Sequence, residues 1–224
     1  MRRVLVVQHH LAEGLGALEA PLRDAGLDLD VRLASRGLPD SVTDHQGLIV
    51  MGGSIGVYQA DRYPFLRTEL RLLRGAMAND IPTLGVCLGS QLIAAAGDAE
   101  VFRGPEPEVG WLLVTRIADD PWLKGWPRDF EALHWHEDTF ELPASGIRLA
   151  SSSAYPNQAF RLGSALGLQF HTEATAAMVE AWMEDPETPE TFRPPPGTRE
   201  KGEAAAARMA PLTESLAAAF ARAV

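Results

Sequence analysis

Cys87 is the only cysteine in the chain, and it stands between two glycines in Gly85-Val86-Cys87-Leu88-Gly89-Ser90-Gln91. The apolar run Ile81 to Val86 before it has the composition of a short buried strand. Gln91 to Ala96 after it reads as the opening turns of a helix. A strand that turns abruptly into a helix holds its corner residue in strained backbone geometry, and side chains at positions 85 and 89 would collide with neighbouring elements. A thiol presented at such a corner projects from the carboxyl end of the strand toward the positive end of a helix, an arrangement that favours the thiolate. The chemistry this permits is nucleophilic attack on an acyl carbon; the plainer alternative is a buried structural cysteine.

A nucleophile of this kind needs a base, and the base needs an orienting group. Both are present in Leu166-Gly167-Leu168-Gln169-Phe170-His171-Thr172-Glu173. Side chains alternate along extended backbone, so His171 and Glu173 share a side if the extension persists two residues beyond the strand. Glu173 is equally suited to capping a helix over Thr172 to Glu184, and the two roles are compatible. A third segment, Leu48-Ile49-Val50-Met51-Gly52-Gly53-Ser54, runs an apolar strand into paired glycines whose bare backbone can approach a substrate. Acyl transfer requires two donors aimed at the oxygen that becomes negative, and the N–H groups of Gly53 and Leu88 are the natural pair. Taken alone, a Gly-Gly after a strand is an ordinary turn.

The segments GGSIGVYQADRYPFL, GVCLGSQ, EVGW, LHWHEDTFELP, NQAF and GLQFHTE together resemble the class I (triad) glutamine amidotransferases, most closely stand-alone members similar to the amidotransferase domain of GMP synthase. The resemblance runs from about Val4 to Trp182. It implies hydrolysis of the side-chain amide of glutamine to glutamate and ammonia through a thioester on Cys87, with His171 as base and then acid, Glu173 as its partner, and Gly53 and Leu88 as the oxyanion hole. It further implies substrate contacts from Gly52, from Gln91 just past the nucleophile, and from the Trp135-His136-Glu137 loop, there largely through backbone. No cofactor and no metal is implied. Ser90 departs from the pattern, since several relatives carry histidine or alanine there.

The elements that must position these residues follow from periodicity. Val4–Val7, Leu29–Ala34 and Leu48–Met51 are predicted strands, separated by a helix over Gly14–Ala25 and followed by one opened by Asp61 and Pro64, with Leu66, Leu70, Leu73 and Met77 as its core stripe. Short strands joined by helices require a parallel, doubly wound sheet with flanking helices, and such sheets bind ligands at the carboxyl ends of their strands. From Phe102 to Phe170 the pattern becomes strands and turns: Gly110–Ile117, Ala132–Leu142, Ile147–Ser151, Gln158–Leu162 and Ala165–Phe170. The fold class expected is therefore α/β, a mostly parallel sheet with an antiparallel extension, flavodoxin-like as the resemblance implies. The chain divides into a catalytic domain over 1–183, a Pro-rich loop over 184–202 that is either a surface connection or a lid, and a helix over 203–224. The helix's stripe of Met209, Leu212, Leu216 and Phe220 is expected to dock on the same domain, the alternative being a contact between two subunits.

At 224 residues, 46% hydrophobic and 22% charged, the chain suits one soluble domain with a sizeable core. Its formal net charge of -10 repels phosphate backbones and anionic lipid, which argues against nucleic-acid and membrane partners. No run approaches the ~20 apolar residues of a membrane span. A single cysteine forms no internal disulfide, and a thiolate nucleophile needs reducing surroundings, so the cytoplasm is the expected compartment. His134 and His136 point the same way on a predicted strand with carboxylates following, a pattern that zinc also uses. His9 and His10 are expected to border the cleft, His45 to lie on the surface, and the five scattered tryptophans to serve packing. Three functions remain open: a glutaminase subunit handing ammonia to a separate synthetase, a free-standing γ-glutamyl hydrolase or peptidase, and a non-catalytic scaffold. The oligomeric state and the acceptor of any ammonia are not legible.

Overall fold

The structure, a computed structural model, describes residues 2–184, 190–192, 194 and 197–224. Nine strands form one sheet in the order β2-β1-β3-β4-β9-β8-β7-β5-β6. The first half is parallel: β1 (Arg2–Gln8), β2 (Leu27–Leu33), β3 (Gly47–Val50), β4 (Thr83–Val86) and β9 (Ala165–Leu168). The second half is antiparallel: β5 (Val101–Arg116), β6 (Asp129–Phe140), β7 (Ile147–Ser151) and β8 (Ala159–Leu162). The expected α/β architecture with an antiparallel extension is therefore what the chain adopts.

Alternation along the central strands builds two cores. On β1, Val4 and Val6 face one side with Ile49, Met51, Leu84 and Val86, while Leu5 and Val7 face the other with Leu48 and Val50. Helix α1 (Glu19–Asp24) and α5 (Thr198–Ala223) cover the first face; α2 (Phe65–Ala78) and α3 (Leu88–Ala96) cover the second. Met209, Leu216 and Phe220 of α5 are fully buried against the sheet, and Phe220 meets Trp122 edge-on at 5.3 Å. The α5 hydroxyl of Thr213 donates to the Thr172 carbonyl at 2.6 Å, which ties the helix to the turn after β9.

Several boundaries differ from the sequence reading. The expected helix over 14–25 is a short 3-10 turn, Gly16–Leu18, followed by α1. Helix α5 begins at Thr198, five residues before position 203, after Gly197 turns at a φ of 89°. Of the Pro-rich segment 184–202, residues 185–189, 193, 195 and 196 lie outside the described residues; Glu190–Phe192 form a 3-10 turn. The helix expected from Thr172 is α4 (Ala176–Glu184), which starts later because Phe170 to Thr175 are drawn into irregular backbone around the site. The buried face of α2 is Leu66, Glu69, Leu72, Leu73 and Ala76, rotated from the predicted stripe, so that Leu70 and Met77 are only half-buried. His45 is not a surface residue: it is 5% exposed, and its Nε2 lies 3.0 Å from Asp30 Oδ2.

Candidate active site

Cys87 joins β4 to α3 and has a φ of 51° and a ψ of -110°, a region that L-residues occupy only where the surrounding structure enforces it. The enforcement is visible in the flanking glycines. A Cβ at Gly85 would lie 2.5 Å from the Gly89 carbonyl oxygen, and one at Gly89 would collide with the Val50 carbonyl oxygen. Helix α3 thus presses its first turn onto two strands, and this close approach leaves Cys87 at the helix N-terminus with its N–H donating to Leu168 at 2.8 Å.

His171 comes to this corner from the neighbouring strand. Beyond β9 the chain makes a single bridge to β6, with the His171 N–H donating to the Leu133 carbonyl at 2.8 Å. The imidazole Nδ1–H donates to Glu173 Oε1 at 2.7 Å, and both side chains are buried. Nε2 has no aligned hydrogen-bond partner, yet the Cys87 sulfur is close enough to act on the ring. Burial by itself opposes a charged imidazole here. The Glu173 carboxylate and then the sulfur outweigh it and hold the His171 pKa well above its ordinary value.

Gly52 separates the two groups: a Cβ on it would lie 3.3 Å from His171 Cε1 and 3.6 Å from Cys87 Cβ. Gly53 packs against Leu88, with the place of its missing side chain 2.7 Å from Leu88 Cδ2. Neither the Gly53 N–H nor the Leu88 N–H donates to a backbone carbonyl among the described residues. A cavity of about 270 Å³ opens over the sulfur, lined by Cys87, His171, Gly53, Gln91 and His136 among others. Gln91 Nε2 donates to the Asp138 carbonyl at 3.2 Å and to Gln169 Oε1 at 3.1 Å. His136 has both ring nitrogens committed, Nδ1 at 3.1 Å to the Asp138 carbonyl and Nε2 at 3.1 Å to Glu108, so its side chain is a wall rather than a free donor.

Four participants escaped the sequence reading. Gln169 is fully buried, and its Nε2 lies 3.7 Å from the Cys87 sulfur; its place two residues before His171, on the same side of extended backbone, was the available signal. Glu13 lines the cavity with Oε2 unpartnered, and burial, only partly opposed by His9 and His171, raises its pKa. Trp182 stacks edge-on to His171 at 5.1 Å and donates its Nε1–H to Ala12, so it shields the imidazole as well as packing. Glu108 sits opposite His136 in the β5–β6 ladder.

Among the described residues, Glu108, His134 and His136 form a group with metal-ligand chemistry, with one ligand atom from each within 4.8 Å of the others. The carboxylate already accepts from Ser152 Oγ at 2.6 Å, Gln158 Nε2 at 2.6 Å and His136 Nε2 at 3.1 Å. A cation would have to displace these donors, and the cluster fits a buried hydrogen-bond network better than a coordination site. Burial opposes charge on Glu108, but the two imidazoles and Ser152 prevail and hold its pKa far below the carboxylate range.

The sequence model of the family described as glutamine amidotransferase class-I matches residues 15–183. The chain is 31% identical over 196 residues to the HisH subunit of imidazole glycerol phosphate synthase from Symbiobacterium thermophilum, covering 79% of this chain and 89% of that one. It is 39% identical over 97 residues to a glutamine-hydrolysing GMP synthase subunit from Sulfolobus acidocaldarius, 42% of this chain and 52% of the relative. A crystal structure of a glutamine amidotransferase from Thermotoga maritima superposes with a TM-score of 0.91 at 32% identity, over 98% of each chain.

Proposed function

The chain belongs to the class-I glutamine amidotransferases, and from that premise we propose that Cys87, His171 and Glu173 form the triad that cleaves the γ-amide of glutamine. In this reading the sulfur attacks the γ-carbonyl carbon, and the N–H groups of Gly53 and Leu88 receive the oxyanion. The intermediate collapses as the protonated His171 gives its Nε2 proton to the departing ammonia, leaving a γ-glutamyl thioester. His171, now neutral, takes a proton from water as the water attacks the thioester, and glutamate leaves with Cys87 and His171 restored. Glu173 keeps Nδ1 protonated and steadies the charge on the ring. Gly52, Gln91 and the backbone of the His136 loop form the remaining substrate wall.

The observation that carries the reading is the 2.7 Å bond from His171 Nδ1 to Glu173 in an imidazole whose other nitrogen is left for the sulfur. Purified protein is expected to release glutamate from glutamine, and Cys87→Ala to abolish release while the circular dichroism and melting transition are retained. Release that survives in Cys87→Ala contradicts the assignment.

A partner of the synthetase class, taking the ammonia, is the fitting acceptor, since similar chains carry names of synthase subunits. A γ-glutamyl peptidase role is the second reading. It is favoured by the cavity's lining, in which Tyr58, Trp182 and Phe192 offer aromatic surface to a substrate larger than free glutamine. Comparing glutamine with γ-glutamyl dipeptides separates them: turnover of the dipeptides alone removes the subunit reading. No helix of the described residues is long and apolar enough to cross a membrane, and the need to keep the thiol reduced supports a cytoplasmic setting.

A further inference from the structure

His9 follows directly on β1 and is buried against the glycine loop, although no step of the hydrolysis uses it. Its Nδ1 lies 2.7 Å from the Gly52 carbonyl oxygen, and its Nε2 lies 2.9 Å from Glu69 Oε2. The side chains are 3% and 0% exposed. A carbonyl oxygen only accepts, so Nδ1 carries a hydrogen, and the carboxylate receives the hydrogen on Nε2. Burial disfavours a charged imidazole at this place; Glu69, helped by the Gly52 carbonyl, overcomes it and raises the His9 pKa. Glu69 Oε1 has no hydrogen-bond partner, so His9 is the carboxylate's one direct contact of this kind among the described residues.

A buried ion pair is a weak way to stabilise a fold, because apolar side chains of similar volume do as well or better. The pair's position shows what else it does. A trans peptide is planar, with its N–H antiparallel to its C=O. Gripping the Gly52 oxygen therefore fixes the direction of the Gly53 N–H, in a two-glycine segment that otherwise has wide conformational freedom. His9 also closes the space beside Gly53, since a Cβ there would lie 3.0 Å from His9 Cγ.

We propose that His9, held by Glu69, is a positioning residue that orients the Gly52–Gly53 peptide so that the Gly53 N–H faces the oxyanion formed on Cys87. This rests on the acyl-transfer reading above and extends the site to the buried face of α2. The test compares two double variants that strand no carboxylate. His9→Leu/Glu69→Leu removes the donor, whereas His9→Asn/Glu69→Leu keeps an amide N–H near the place of Nδ1. Three rates are read for each: acylation by p-nitrophenyl acetate, which needs a thiolate and an oxyanion hole but no γ-glutamyl pocket; glutamine turnover, with kcat and KM separated; and alkylation by iodoacetamide, which forms no oxyanion.

Loss of one oxyanion donor lowers acylation and kcat about 100-fold, with KM and alkylation unchanged, and the asparagine variant recovers most of the loss. A parallel fall in alkylation, no advantage of asparagine over leucine, or no loss at all overturns the proposal. If the double variants do not fold, Glu69→Gln carries the test: slowed acylation with intact alkylation supports the proposal, and full acylation overturns it. A wild-type protein that is acylated by the ester yet turns over no γ-glutamyl compound contradicts the substrate reading, while the ester still decides the role of His9.

Discussion

Two groups of buried histidines and carboxylates lie within the same fold and have opposite electrostatic outcomes. At the Cys87 corner, one imidazole has one carboxylate and one sulfur, and its pKa rises well above the ordinary value despite burial. In the β5–β6 ribbon, His134 and His136 share the single carboxylate of Glu108, and the His134 pKa falls. Burial pushes the His171 and His134 imidazoles alike toward neutrality. The difference is stoichiometric, because His134 has half a carboxylate and is further repelled by His136 and His171. Its Nδ1 lies 3.3 Å from Glu108 without hydrogen-bond alignment. The lesson is that surplus negative charge beside the ring separates the two groups, because His134 likewise leaves both ring nitrogens without a hydrogen-bond partner among the described residues and only its charge balance differs.

Glu173→Gln breaks the contrast most severely. It removes the charge that raises the His171 pKa, and kcat for glutamine is expected to fall about 10²- to 10⁴-fold, in line with losses of an orienting carboxylate. The sign of the accompanying pH effect follows from the proposed mechanism: there the imidazolium is the proton donor, and the alkaline limb follows its loss. Lowering the His171 pKa therefore moves that limb to lower pH, which a kcat/KM profile reads directly. A limb unmoved by Glu173→Gln would show that Glu173 does not set the charge on His171.

Gly89→Ala tests the corner itself. Its methyl collides with the Val50 carbonyl, so α3 must lift from the strands and carry Cys87 with it. Iodoacetamide alkylation and turnover are expected to fall together, about 10- to 100-fold for a displacement near 1 Å. Glu108→Gln has the smallest expected effect on chemistry. It leaves Ser152, Gln158 and His136 facing a neutral amide in place of their shared carboxylate acceptor and destabilises the fold by about 1–3 kcal/mol, the range for stranding a buried hydrogen-bonding group. Denaturant unfolding measures that loss. The alkaline limb should stay in place, and a shift as large as that of Glu173→Gln would merge the two groups into one.

The Cys87 corner was legible because its requirements are local: a strand, two glycines where neighbouring backbone leaves no room for a Cβ, and a helix, all within a dozen residues. His171 and Glu173 were legible for the same reason, as two positions on one side of extended chain. What escaped depends on contacts that no short window contains. Glu69 falls at helical spacing with Leu66, Leu72 and Leu73, yet its charge excluded it from the apolar stripe, and only the partner His9, 60 residues away, makes it a core residue. Glu108 lies beside a register shift in the β5–β6 ladder, so its pairing with His136 could not be counted from a turn. His45, just before β3, reaches Asp30 on β2 across the intervening β1, a contact that needs the sheet order. Glu13 belongs to the irregular loop after β1, where no periodicity marks the buried side.

The most direct measurement is covalent capture of the thiol by a glutamine-derived chloromethyl ketone, followed by intact mass and by the rate of labelling across pH in the wild type and in His171→Ala. The account predicts a single adduct on Cys87, none in Cys87→Ala, and labelling of the wild type at neutral pH that moves to alkaline pH when His171 is removed. Labelling that is absent from the wild type, or whose pH dependence is the same without His171, contradicts a cysteine held as a reactive pair with that imidazole.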